Sequence, residues 1–156
     1  MSIQQTLRGY DLFRPLSDEE IERVSSHATM RSFKAGETIY RHDDRATHLM
    51  LVIEGAVHMM LPAMSKDFRL LISRVSRGEL FGIAPLLGGE RYTAAAVAVE
   101  PTTMIAIDAS VMLDTLQKNP KAGLEVTREV AKLYMTRYTE VMRSMQAMVS
   151  HIPLSR

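Results

Sequence analysis

The sequence predicts one mainly β domain, an antiparallel barrel or jelly roll with helices flanking it at both ends. Three observations carry that reading: short apolar stretches broken by close-set turns through the middle of the chain, helical periodicity before and after them, and a length suited to one core. A globule of 156 residues buries about 70% of its unfolded surface and needs no staple. The 46% hydrophobic, 24% charged composition, with eight Gly and six Pro, is that of a folded globular chain and not of a disordered or fibrous one.

Ser17-Asp18-Glu19-Glu20 has the S-x-x-E spacing of a capping box and predicts a helix start. Leu16, Ile21, Val24 and Ala28 give that helix one apolar face, and Leu7, Leu12 and Phe13 predict a helical turn just before it, so the opening helical part covers 7–29. From Met30 the texture becomes β. Turn residues recur at Lys34 to Glu37, His42 to Asp44, Glu54-Gly55, Pro62 to Asp67, Ser76 to Gly78, Leu87 to Gly89 and Glu100-Pro101. Between them lie β-suitable stretches at Thr38 to Tyr40, Leu49 to Ile53, Ala56 to Leu61, Phe68 to Val75, Thr93 to Val99 and Thr103 to Ile107. About eight short strands over 30–108 follow from that rhythm.

Asp108 is placed to cap a helix that runs to Leu116, Asn119-Pro120 breaks it, and a longer helix starts there and extends to 152. On that last helix Leu124, Thr127, Ala131, Tyr134, Tyr138, Val141, Met145, Met148 and Ile152 recur at alternating three- and four-residue steps. Glu125, Arg128, Glu129, Lys132, Arg143 and Gln146 form the opposite, solvated face. A helix of roughly 45 Å is too long for one barrel to cover, so the stripe predicts pairing with a second copy. Packing against the chain's own barrel is the alternative.

Nineteen Lys and Arg against eighteen Asp and Glu leave a net charge of +1 and no global pull toward nucleic acid or an anionic membrane. Without cysteine the chain has no disulfide framework, thiolate metal site or cysteine nucleophile. Met1 to Gly9 lacks the apolar core of a secretory signal, and no apolar run approaches the roughly 20 residues that span a bilayer. The expected location is the cytoplasm. There is no G-x-S-x-G, H-E-x-x-H or G-x-x-x-x-G-K, so no enzyme is expected. Of the five histidines, His27, His42, His48, His58 and His151, none forms an i, i+4 pair on a predicted helix, and no metal site is expected. Twelve methionines, among them Met59, Met60, Met64, Met135, Met142, Met145 and Met148, suit an adaptable seam or an apolar pocket.

Four motifs occur in sequence order: Leu12-Phe13-x-x-Leu16-Ser17-x-x-Glu20, Phe33-Lys34-x-Gly36-Glu37-x-Ile39, His48-x-x-Leu51-Val52-x-x-Gly55-x-Val57 and Gly78-Glu79-Leu80-Phe81-Gly82. Together they resemble the opening helix, first hairpin, central hairpin and start of the phosphate-binding cassette of the cyclic-nucleotide-binding domain in the catabolite-activator and fumarate-nitrate-reduction-regulator superfamily. The resemblance covers Leu7 to Met148. It implies an antiparallel β-roll, a double-stranded jelly roll, with an amino-terminal helix and a long carboxy-terminal dimer helix, all in a single domain over 1–156. The dimer seam would use Tyr134, Tyr138, Val141, Met145 and Met148.

The implied ligand site comprises Phe81, Gly82, Ile83, Ala84, Arg91, Tyr92 and Thr93 in the cassette, with Arg137 and Tyr138 from the long helix. In nucleotide-binding members a glutamate directly after Phe-Gly takes the ribose hydroxyl and an arginine takes the cyclic phosphate. Ile83 stands in the first position, and the second falls on Arg91 or Tyr92, because the loop varies by about one residue in the family. Tyr92 with the following Thr-Ala-Ala-Ala-Val-Ala resembles the branch that senses other ligands. Losing one buried charge-assisted partner costs about 2 to 5 kcal/mol, so two such departures would move a micromolar ligand toward the millimolar range. Arg137 and Tyr138 align where the catabolite-activator branch contacts adenine with small hydroxyl residues. A guanidinium beside aromatic rings can stack on a planar ligand or bind an acid; the alternative places Arg137 in solvent and Tyr138 in the dimer seam.

The resemblance therefore implies a stand-alone regulatory or sensor domain. It would bind a small effector, cyclic AMP, cyclic GMP or another small acid, in a degenerate cassette and dimerise through the last helix. A ligand-free dimerisation or docking module serving a regulatory protein partner is one alternative. A haem-based sensor is another, with His58 the first histidine to check. The sequence ends at Arg156 before a helix-turn-helix could form, so direct DNA binding is not expected.

Overall fold

A computed structural model describes residues 1–65 and 68–150, with the side chains of 63–69 not described. His151, Ile152 and the side chain of Met64 therefore lie outside the described residues. The helices are α1 (Ile3–Arg8), α2 (Asp18–Ser26), α3 (Ala109–Lys118) and α4 (Pro120–Val149). The strands are β1 (Ala28–Phe33), β2 (Thr38–Tyr40), β3 (His48–Glu54), β4 (Ala56–Ser65), β5 (Phe68–Ser76), β6 (Leu80–Phe81), β7 (Ala95–Ala98) and β8 (Thr102–Asp108), with 3₁₀ turns at Asp11–Phe13 and Ala84–Leu87.

All strand pairs are antiparallel, and they form two four-stranded sheets, ordered β1-β8-β3-β6 and β2-β7-β4-β5. Between the sheets lies a roll interior containing Tyr40, Met50, Val52, Val57, Met59, Phe81, Tyr92, Met104 and Ala106. The outer face of the first sheet packs against the helices through Leu49, Leu51, Leu80, Ile105 and Ile107, which meet Leu7, Phe13, Ile21, Val24, Met112, Leu116, Val126 and Val130. β3 and β8 are thus buried on both faces. That is why Leu49 to Val52 and Met104 to Ile107 read as continuous apolar runs, whereas β7 alternates half-buried and buried residues.

The Ser17–Glu20 capping box forms as the sequence predicts: Ser17 Oγ accepts from Glu20 N at 3.2 Å and Glu20 Oε1 accepts from Ser17 N at 3.0 Å. Glu20 also accepts from Asn119 Nδ2 at 2.9 Å, tying α2 to the α3–α4 corner. The Ser17 amide, chiefly, holds the Glu20 carboxyl below its usual range. Asp108 caps α3 by accepting from Val111 N at 3.0 Å. The Ser110 hydroxyl, donating at 2.6 Å, is the main cause that holds Asp108 below the usual carboxylate range, with partial burial opposing it. A depressed folded value stabilises above the unfolded value near about pH 4, and the contribution is lost as pH falls through the folded one. Asp108→Ala should therefore cost about 1 kcal/mol at neutral pH, a deficit that shrinks in urea melts run below about pH 3.

Several boundaries depart from the sequence expectation. α2 stops at Ser26, and Ala28, expected on its apolar face, instead opens β1 opposite Ile107. The roll thus begins at Ala28. The turn expected from Pro62 is strand through Ser65. β7 pairs only with Val57 to Met60 of β4, so Pro62 lies past that partner, where a missing N–H is tolerated. β7 is shorter than Thr93 to Val99 because Tyr92 and its neighbours bond to the 41–46 loop instead: Tyr92 N donates to Asp44 O and Ala46 N to Glu90 O.

α4 shows three faces. Ala122, Val126, Val130 and Arg137, with Leu133 partly covered, turn inward. Most of the expected seam stays open: Tyr134 is 51%, Tyr138 53%, Met145 46% and Met148 45% exposed, while Val141 is half-buried. The charged face carries the Lys132–Glu129 ion pair at 3.0 Å. No helix among the described residues is long and apolar enough to cross a membrane.

Candidate effector site

The cassette expected from the resemblance begins where β6 ends. Gly82 has φ of +68°, and the chain then makes the Ala84–Leu87 turn, closed by Gly88 in the left-handed region and by Gly89 N donating to Ala84 O at 2.8 Å. Small residues dominate the return strand, with Ala94, Ala96 and Ala98 pointing into the roll. Ala94, with Ala84 of the turn, leaves the end of the interior unfilled. The result is a cavity of about 520 Å³ between the cassette, the open end of the roll and α4.

Of the residues expected there, Gly82, Ile83, Ala84, Tyr92, Thr93, Arg137 and Tyr138 line the cavity. Phe81 does not. Its ring is fully buried in the roll interior, 6.0 Å from Tyr40 between centroids, because alternation along β6 turns it inward behind the cavity wall. Arg91 also lies elsewhere. Its Nη1 donates to Asp43 O at 2.8 Å, and it lines a separate depression with Arg45 and Ser110. Of the two candidates for the arginine position, the one facing the cavity is Tyr92.

Tyr92 is 4% exposed and stacks on Tyr40 with ring centroids 3.7 Å apart and planes 14° from parallel. Its hydroxyl donates to His48 O at 2.7 Å and accepts from His48 N at 3.1 Å. Burial raises both phenols, strongly for Tyr40, so both rings are neutral. The cassette thus presents a neutral phenol, not a cation, at the position that the resemblance assigns to the phosphate-binding arginine.

The charge comes from the other wall. Arg137 is 9% exposed, and its Nη2 donates to Leu80 O on β6. Nη1 is buried and has no partner. Burial is the main cause that lowers this guanidinium from its usual value, with Tyr40, Glu79 and Glu140 acting against that shift. The solvent-exposed alternative for Arg137 is therefore not what forms. Tyr138 remains half exposed and contributes both to the cavity and to the apolar face of α4.

Tyr40, Met59, Ile72, Leu87 and Ala94 also line the cavity and were not legible as site residues. Their signal lies in cross-strand pairing, such as Tyr40 opposite Ala96, and not in any local motif. Tyr134 and Val141, expected in the seam, reach the cavity as well. His58 has β4 neighbours Val57 and Met59 in the roll interior, so alternation puts it on the outer face of its sheet, away from the cavity.

Comparison with known proteins agrees with the fold. The chain is 31% identical over 114 residues to the cyclic AMP receptor protein of Thermus thermophilus, covering 73% of this chain and 52% of that protein. It therefore spans about half the length of that relative. The solved Thermus thermophilus catabolite activator protein superposes with a TM-score of 0.67 at 27% identity, over 88% of this chain and 62% of that one. The sensor domain of the transcriptional regulator DNR from Pseudomonas aeruginosa has a similar fold, with a TM-score of 0.73 at 21% identity over 83% of this chain and 91% of that one. Residues 30–119 match the family described as the cyclic nucleotide-binding domain, from β1 through α3. That match, covering the roll and the cassette whose geometry is described above, makes the chain a member of the cyclic nucleotide-binding domain family.

Proposed function

We propose that the chain is a non-catalytic sensory module of the cytoplasm. An effector enters the cavity between cassette and α4 and biases how two copies pair through the exposed apolar face of α4. The observation that carries this reading is the buried guanidinium of Arg137, a residue that lines the cavity, with Nη2 engaged by Leu80 and Nη1 unpartnered. A buried donor on a cation is costly to leave empty, and an occupant would complete it. The same occupant touches Tyr134, Tyr138 and Val141. Their helix continues outward to Met145 and Met148, so contact in the cavity reaches the pairing face through one rigid element.

Sedimentation equilibrium tests the pairing. The wild-type chain is expected to run as a dimer at micromolar concentration and the Met145→Glu, Met148→Glu double variant as a monomer with an unchanged circular dichroism spectrum, since a desolvated carboxylate in an apolar seam is strongly disfavoured. A monomeric wild type would end the pairing half of this reading.

A further inference from the structure

We propose that the cavity takes a flat, largely apolar molecule bearing a single acid group, with that group held by the Arg137 guanidinium. This ligand class rests on reading the cavity as the effector site. Three features of the wall point to it. First, Arg137 is the only charged residue among the described lining residues, and no described carboxylate lies within ion-pair distance of it. One cation with one vacant donor matches one anionic group.

Second, the surface facing Arg137 offers little to a sugar. The Tyr92 hydroxyl is committed to the His48 backbone through both its proton and its lone pair. Ile83 is a hydrocarbon, as are Ala84 and Ala94. Against those side chains a ribose would bury hydroxyls without acceptors, leaving its polar contacts to Thr93, Tyr134 and Tyr138 elsewhere on the lining, whereas an aromatic or alicyclic body would bury only apolar surface. Third, the stacked Tyr40–Tyr92 pair lines the cavity with ring edges beside Gly82, an aromatic wall against which another planar group packs edge to face. The volume of about 520 Å³ accommodates one or two rings.

Matched acid and amide pairs test this directly, because they share shape and differ in charge. Isothermal titration of the wild-type chain with phenylacetate, phenylacetamide, 2-naphthoate, 2-naphthamide and cyclic AMP at neutral pH is the experiment. At least one acid should bind about tenfold more tightly than its amide, or better. Arg137→Gln should bring the acid down to its amide, and Arg137→Lys should restore part of the difference. Equal affinity of each acid and its amide overturns the proposal, as does an acid preference that survives in Arg137→Gln. A thermal melt checks that each variant folds; if Arg137→Gln does not, the wild-type acid and amide comparison decides by itself. Cyclic AMP binding more tightly than either acid overturns the ligand class and leaves the effector site standing. No binding of any of the five overturns both.

Discussion

Gly55→Ala is expected to lower stability by about 3 kcal/mol or more. Gly55 lies between β3 and β4, where the backbone leaves one sheet for the other, and its φ is +90°. A side chain there would be strained even in open space. The space is not open: a Cβ would stand 2.5 Å from Pro101 O, 2.5 Å from Thr102 Oγ1 and 2.7 Å from Thr102 Cα. Two of those atoms are backbone and cannot swing aside. The third belongs to a buried hydroxyl that accepts from Ala56 N at 3.2 Å and offers its proton to Ala56 O at 3.1 Å or Glu100 O at 2.8 Å. Displacing it would orphan a buried amide. Urea denaturation measures the loss; a change below about 1 kcal/mol would mean that the 54–56 and 100–102 turns separate with little resistance.

Gly82→Val should cost about 2 kcal/mol in stability and remove binding of any acid the cavity takes. With φ at +68°, a β-branched residue is strained on backbone grounds alone. Its Cβ would approach His48 O at 3.1 Å and Tyr92 Cε1 at 3.3 Å, with Tyr40 Cε1 at 3.7 Å. The added methyls would occupy the space in front of the stacked rings. Titration with 2-naphthoate, beside a urea melt of the same preparation, separates the two effects. Undiminished binding in a folded variant would move the effector site away from this cavity.

Much of the architecture is legible in the sequence because the forces that set it are local. The Ser17 and Glu20 side chains meet within one helical turn, and Asn119-Pro120 ends one helix and caps the next through Asn119 Oδ1 accepting from Ala122 N. The apolar runs of β3 and β8 announce burial. What escaped depended on contacts across the chain. The inward face of α4 is marked by Ala122, Val126 and Val130, but its next member is Arg137, and a cation at an inward position hides the stripe from a hydrophobic pattern. Such a break in patterning is expected where function opposes packing. β6 has only two residues, too few for alternation to show that Phe81 faces the interior. Arg91 and Tyr92 differ by a single residue, and hydrogen bonds to a loop almost fifty positions earlier decide which of them faces the cavity.

The double-faced burial of β3 and β8 makes them a party wall between two rooms, the aromatic chamber of the roll and the helical chamber outside it. Neither chamber can melt and leave the other intact, since each would lose the same partition. A push felt by Met50 or Val52 on one side is carried by the same strand that holds Leu49 and Leu51 on the other. The two chambers are therefore expected to unfold together in one transition.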